Sequence, residues 1–181
     1  SPKCSIEVII VVNYSEISEE EVKQQNQETV QIAQKWSRAH NSDKFKFHII
    51  KAYDLPKKHA GVGLARKIGM DEAVRRFDTL NNQNGIIVCF DADSLVKTNY
   101  FEEIEKHFIT HPKSVGCSIH FEHPLDGPLS LGHYTGIVNY ELHLRYYIHA
   151  LKFAGHPHAY QTIGSSMAVR SYIYQKQGGM N

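Results

Sequence analysis

Asp91 and Asp93 stand two residues apart directly after the apolar run Ile86-Ile87-Val88-Cys89-Phe90. Carboxylates leaving a buried strand are costly unless they meet a partner. A hard divalent cation is one such partner: Mg2+ or Mn2+ takes one or two carboxylates and completes its shell with phosphate oxygens and water. The alternative is that the two side chains cap the turn and helix that follow. A second group is Gly61-Val62-Gly63-Leu64-Ala65-Arg66. Glycines at a helix start let backbone N–H groups approach an anion, and an arginine in the first turn suits a phosphate. The plainer reading is a tight turn beside a solvated arginine. A dinucleotide fingerprint needs glycine where Arg66 stands and needs the loop after the first strand, so NAD is not expected.

The histidines and the remaining acids give weaker signals. His120, His123, His156 and His158 are candidate ligands, and His-x-His shares one face in an extended segment. No cysteine lies near them to build a closed zinc site, so loop polarity is the expectation. Glu122, Asp126 and Glu141 sit in no context that marks a general base and read as surface charge. Tyr140, Tyr146 and Tyr147 read as a half-buried packing face, with stacking on a sugar as the alternative.

These residues must be positioned by an alternating scaffold. Ile6–Val12 is a β-rich, apolar strand of the kind buried on both faces. Ser18 and Glu21 have capping-box spacing, and Val22, Asn26, Thr29, Val30, Ala33 and Trp36 form a stripe, predicting a helix over 18–40. A second strand holds Phe45, Phe47, Ile49 and Ile50, ending near 51–54 before Pro56. The glycine loop opens a helix to about Leu80, with Ala65, Ile68, Ala73, Phe77 and Leu80 inward. Strand 86–90, helix 99–110 and strand 115–121 follow. The segment from His123 to Tyr134 is rich in Gly and Pro, with a helix over 140–153 and a strand over 164–170 beyond it. This β-α-β-α-β-α-β order predicts a mainly parallel sheet with helices on both faces.

Composition narrows the class. With 181 residues, 41% hydrophobic content and a formal charge of +1, the chain is sized for one folded domain and has no basic excess for nucleic acid. No apolar run approaches the roughly 18–20 residues of a spanning helix. Nothing at the start reads as a signal peptide. Cys4, Cys89 and Cys117 are expected to be free thiols in a reducing cytoplasm.

In open α/β sheets ligands bind beyond the carboxyl ends of the strands, which selects Val12-Asn13-Tyr14, Asp54 and Asp91-Ala92-Asp93. The order of the apolar strand ending at Asn13, Gly61-Val62-Gly63-Leu64-Ala65-Arg66-Lys67, Phe90-Asp91-Ala92-Asp93, Gly164-Ser165-Ser166-Met167-Ala168-Val169-Arg170 and Gly178-Gly179 resembles family 2 glycosyltransferases. The resemblance runs over nearly the whole chain. It implies an inverting enzyme of the GT-A fold, a Rossmann-like α/β/α sandwich with a mainly parallel, mixed central sheet, as a single domain over 1–181. It implies a nucleotide-sugar donor, UDP-linked by preference, a glycan or lipid-linked acceptor, and Mn2+ or Mg2+. By the same resemblance Val12 and Asn13 line the nucleoside pocket, and Asp54 contacts the base. Arg66 matches the family's arginine, followed here by Lys67 in place of asparagine. Asp91 lies near the ribose, Asp93 holds the metal with Asp91 beside it, and Gly164-Ser165 flank the donor sugar. A cytoplasmic location, free or at the inner membrane face, goes with polysaccharide synthesis.

Inversion needs a carboxylate that deprotonates the attacking hydroxyl. The resemblance puts it shortly after Gly178-Gly179, so the expectation is a truncated catalytic domain with its base beyond Asn181 and its acceptor part missing. Two other classes remain. Phe90-Asp91-Ala92-Asp93 also resembles the nucleophile strand of haloacid-dehalogenase-like phosphatases, with Asp91 phosphorylated. A non-catalytic module that only binds a sugar nucleotide is the third reading.

Overall fold

The structure is a computed structural model that describes residues 2–180. Ser1 and Asn181, the limits of the expected domain, lie outside the described residues. In chain order the elements are β1 (Ile6–Ser15), α1 (Glu20–His40), β2 (Phe45–Leu55), α2 (Val62–Thr79), β3 (Ile86–Cys89), α3 (Tyr100–Thr110), β4 (Gly116–Ser118), α4 (Leu131–Phe153), β5 (Met167–Arg170) and α5 (Ser171–Lys176). The chain is α/β, as its alternating pattern predicts. It forms two compact units, one of Ser1–Ile87, Leu95–Val115 and Val169–Asn181, the other of Val88–Ser94 and Gly116–Ala168.

In the first unit β1 and β2 pair in parallel from Ile6 opposite Phe45 to Asn13 opposite Ala52, and the register slips between Asn13 and Ser15. Both strands run past their predicted ends because this pairing carries the backbone beyond the apolar stretch. Val12 and Ala52 are buried on the pair, and Val30 is the buried anchor of α1. Val22 and Trp36, expected on the buried stripe of α1, stay about half exposed. Trp36 instead stacks on His40 at 4.0 Å and meets Phe47 edge-on at 4.8 Å. The capping box does not form. Ser18 Oγ accepts from the Ser15 N–H at 3.0 Å, which closes the turn out of β1, and Glu19 takes the N-cap position.

Helix α2 lies on β1. A Cβ on Gly69 would meet Val11 Cγ2 at 3.3 Å, and Arg76 donates to the Glu7 carboxylate from Nε. Leu80 is not inward as expected: it falls past the helix end and is 67% exposed. Helix α3 is fastened at its middle and near its carboxyl end. Glu105 accepts from the backbone N–H groups of Lys3 and Cys4 at 2.9 and 2.8 Å. Arg170 lies 5.1 Å from the Phe108 ring and donates to the Ser114 carbonyl at 2.8 Å.

The hydrogen-bonded strands make two sheets, β1-β2 and β3-β5-β4, so one mainly parallel central sheet is not what forms. The Arg170 N–H bonds to Val115 O at 2.9 Å, Ile119 N–H to Ser166 O at 2.8 Å, and Ser171 N–H to Gly85 O at 2.8 Å. These pairings run β5 antiparallel to both neighbours. The βα alternation stops at the Gly- and Pro-rich segment, so the rule that makes crossovers parallel does not reach β5.

In the second unit α4 begins at Leu131, nine residues before the predicted Tyr140. Tyr134, Ile137, Glu141, Leu144, Ile148 and Leu151 form its half-buried stripe. Tyr140, Tyr146 and Tyr147 lie off that stripe and are exposed, so they make no packing face. The predicted strand over 115–121 shortens to Gly116–Ser118. None of the three cysteines is in a disulfide; Cys4 is exposed and Cys89 buried. Among the described residues no helix is long and apolar enough to cross a membrane.

Candidate functional site

At the carboxyl end of the β1-β2 pair, Val12 is buried and the Asn13 carbonyl accepts from Asn26 Nδ2 at 3.5 Å. The rings of Tyr14 and Tyr53 stack at 4.5 Å, and Lys23 Nζ lies 5.8 Å from the Tyr14 centroid. Burial pushes both phenols above their ordinary range, with Asp54 adding to the shift at Tyr14. Asp54 closes the strand end in the left-handed region at φ +53°, which short polar side chains adopt most readily. Its carboxylate projects into solvent 3.9 Å from Lys23 Nζ. Tyr53 is a residue the sequence reading missed; its only signal is the alternation Lys51-Ala52-Tyr53-Asp54.

The contacts of α2 fix where Arg66 stands. Gly69 opposite Val11 and Arg76 opposite Glu7 make the helix antiparallel to β1. With about 1.5 Å of rise per helix residue and about 3.3 Å per strand residue, Arg66 lies one to two strand residues beyond Val11. That is the level of Val12 and Asn13. Arg66 is half-buried there. Gly61 caps α2 in extended conformation at φ −165°, and no side chain caps the helix. Neither Gly61 nor Gly63 has an atom within 4 Å of where a Cβ would be, so open space borders this helix start. Gly63 belongs to the first helical turn rather than to a tight loop.

One turn further, the α2 surface meets α5. Tyr174 donates its hydroxyl to Asp71 Oδ1 at 2.7 Å, and Lys67 Nζ pairs with Asp71 Oδ2 at 3.1 Å. Gly178 and Gly179 end the chain's last turn at φ +82° and +81°. A Cβ on Gly179 would sit 3.3 Å from Lys67 Nζ and 3.4 Å from the Tyr174 hydroxyl. Two motifs far apart in sequence, Arg66-Lys67 and Gly178-Gly179, therefore meet in this unit.

In the second unit Asp91-Ala92-Asp93-Ser94 forms a turn closed by the Ser94 N–H on Asp91 O at 3.0 Å. Asp93 is exposed and Asp91 half-buried. Gly164 and Ser165 occupy the centre of a second turn, closed by Ser166 N–H on Ile163 O at 3.0 Å. Among the described residues no three His, Cys, Asp or Glu side chains gather closely enough to enclose a metal.

The histidines are engaged locally. His120 Nε2 lies 3.0 Å from Glu122, and the His158 N–H donates to His156 Nδ1 at 3.1 Å. Glu141 is not surface charge: its side chain is 13% exposed, 2.5 Å from His123 Nδ1 and 3.6 Å from Arg145. The imidazole holds the Glu141 carboxyl below its usual range. His123 also lines an open cavity of about 590 Å³ with Ser130, His133, Gly136, Ile137 and Tyr140, which contains none of the predicted donor residues.

No family model, curated protein or solved structure matches this chain.

Proposed function

We propose that the chain binds a nucleoside diphosphate sugar and serves glycosyl transfer of the inverting kind. The carrying observation is that Arg66 stands level with Val12 and Asn13, beside an open, uncapped helix start at the carboxyl end of two parallel strands. Such a crevice is where α/β folds hold nucleotides. In this reading the base lies at Val12-Asn13 with Asp54 at its edge, and the diphosphate lies toward Arg66 and the first turn of α2. In the second unit, the turn of Asp91, Ala92 and Asp93 is the part proposed to meet ribose and cation, with Asp93 the principal ligand of Mn2+ or Mg2+, and the turn of Gly164 and Ser165 is the part proposed for the sugar.

In the transfer itself, an acceptor hydroxyl oxygen bonds to the anomeric carbon as the bond from that carbon to the diphosphate breaks. The electron pair leaves with the diphosphate, and the hydroxyl proton goes to a carboxylate base. Negative charge grows on the leaving group, so a fixed guanidinium there favours the transition state over the ground state. A bound divalent cation would supply further neutralisation of the same oxygens. The acceptor is a glycan or lipid-linked sugar.

Calorimetric titration of UDP in the presence of Mn2+ tests the reading. Saturable binding that weakens in Arg66→Met and Asp93→Asn is expected. Absence of heat with UDP, GDP and dTDP alike overturns it. Catalytic phosphatase turnover lost in Asp91→Asn would install the rival instead.

A further inference from the structure

We propose that α4 carries a homodimer interface, on which the α4 of a second copy of this chain docks antiparallel. The half-buried stripe from Tyr134 to Leu151 packs on the chain's own residues, with Glu141 on His123 among its contacts. A second apolar stripe runs about 130° round the helix from the first, at 3.6 residues per turn. Leu131, Val138, Leu142, Tyr146 and Phe153 form it, with exposures from 39% at Val138 to 96% at Phe153. Thr135 and His149 stand in its two gaps and are exposed as well. A helix with apolar residues on more than one face is ordinarily buried on each of them, and α4 is covered along one only.

The spacing of this stripe reads the same from either end. From Leu131 to Phe153 its steps are four, three, four, four, three and four residues. A second α4 laid antiparallel, with Leu142 on the two-fold axis, therefore sets Leu131 against Phe153, Val138 against Tyr146 and Thr135 against His149. Leu142 meets its own copy. Such an isologous pairing uses one patch twice and closes at two copies. Arg145 then comes opposite Asn139 and Lys152 opposite Gly132, so no like charges meet. Taking about 150–250 Å² for a free aromatic side chain, the stripe offers about 700–800 Å² per copy, close to the ~800 Å² that each side of a stable interface contributes. A lipid surface fits less well. The cations beside the stripe, Arg145 and Lys152, lie on one flank only, and Glu141 pairs with the first of them at 3.6 Å.

Sedimentation equilibrium of the whole chain across micromolar concentrations is expected to show a reversible monomer–dimer equilibrium. Leu142→Glu sets two carboxylates against each other on the axis and should weaken association roughly hundred-fold, with far-UV circular dichroism unchanged. Val138→Glu weakens it too, and Tyr146→Lys added to the same chain recovers part of the loss, because the antiparallel register pairs those two positions. Tyr147→Glu, similarly exposed but off the stripe, leaves association unaltered. A wild type that stays monomeric throughout the range, or a dimer indifferent to Leu142→Glu, overturns the proposal. Failure of Tyr146→Lys to recover any association overturns the antiparallel register and the proposal with it. Wild-type monomer that instead binds vesicles of phosphatidylcholine and phosphatidylserine, and loses them in Leu142→Glu, assigns the stripe to lipid and overturns it as well.

Discussion

Gly69 lies against Val11 so closely that a Cβ on the glycine would stand 3.3 Å from the valine Cγ2. That approach sets the height of α2 on β1 and, through it, the level of Arg66. Gly69→Val is expected to push the helix outward and cost about 1–3 kcal/mol of stability. Gly69→Ala sits nearer neutrality, because relief from glycine's chain entropy offsets part of the crowding. Denaturant unfolding of the two variants reads the difference, and UDP affinity should fall with stability in Gly69→Val.

A tighter contact lies at Gly85, where a Cβ would overlap the Phe77 ring at 2.2–2.4 Å. Gly85→Ala forces the ring from its site and is expected to destabilise by about 1–3 kcal/mol. Phe77→Leu in the same background should recover part of the loss, a coupling that a double-mutant cycle measures directly.

Stability should fall on the acid side in two stages. Burial lowers the pKa of His48 below its ordinary 6.5, so the unfolded chain binds that proton first and stability begins to drop as pH falls through about 6.5. Glu7, held low chiefly by its hydrogen bond from Arg76, contributes stability that is present above its ordinary 4.5 and is lost as pH falls through its depressed folded value. Arg76→Met should remove most of the second stage and weaken the first, because the Arg76 charge also helps hold His48 low, as followed by melting temperature against pH.

Much of the scaffold was legible. The β-branched run from Ile6 and the aromatic alternation from Phe45 gave a parallel pair, and Gly61 marked the start of α2. What the pattern did not carry was long-range. The antiparallel β5 follows from pairing between residues such as Arg170 and Val115, which no local period reports. Helix α4 starts among Gly132 and Gly136, where propensity argues against helix and the stripe from Tyr134 to Leu151 prevails. At the site, Val12, Asn13 and Arg66 could be chosen from strand ends and a glycine loop. The contact between Asp71 and Tyr174 could not, because only the meeting of α2 with α5 creates it.

His123 and Glu141 give a prediction outside the donor site. Glu141→Ala removes the oxygen that accepts from both the His123 backbone N–H and its ring, and the loop before α4 then loses the contact that ties it to the helix. Faster amide exchange is expected at 119–130, with UDP affinity unchanged. Unaltered exchange would mean the pair does not secure the loop.

The central claim is tested most directly by solving the chain with UDP and Mn2+ bound. The account predicts uracil beside Val12 and Asn13 and phosphate oxygens within hydrogen-bonding reach of the Arg66 guanidinium. A nucleotide seated elsewhere on the molecule, with Arg66 making no phosphate contact, would contradict it.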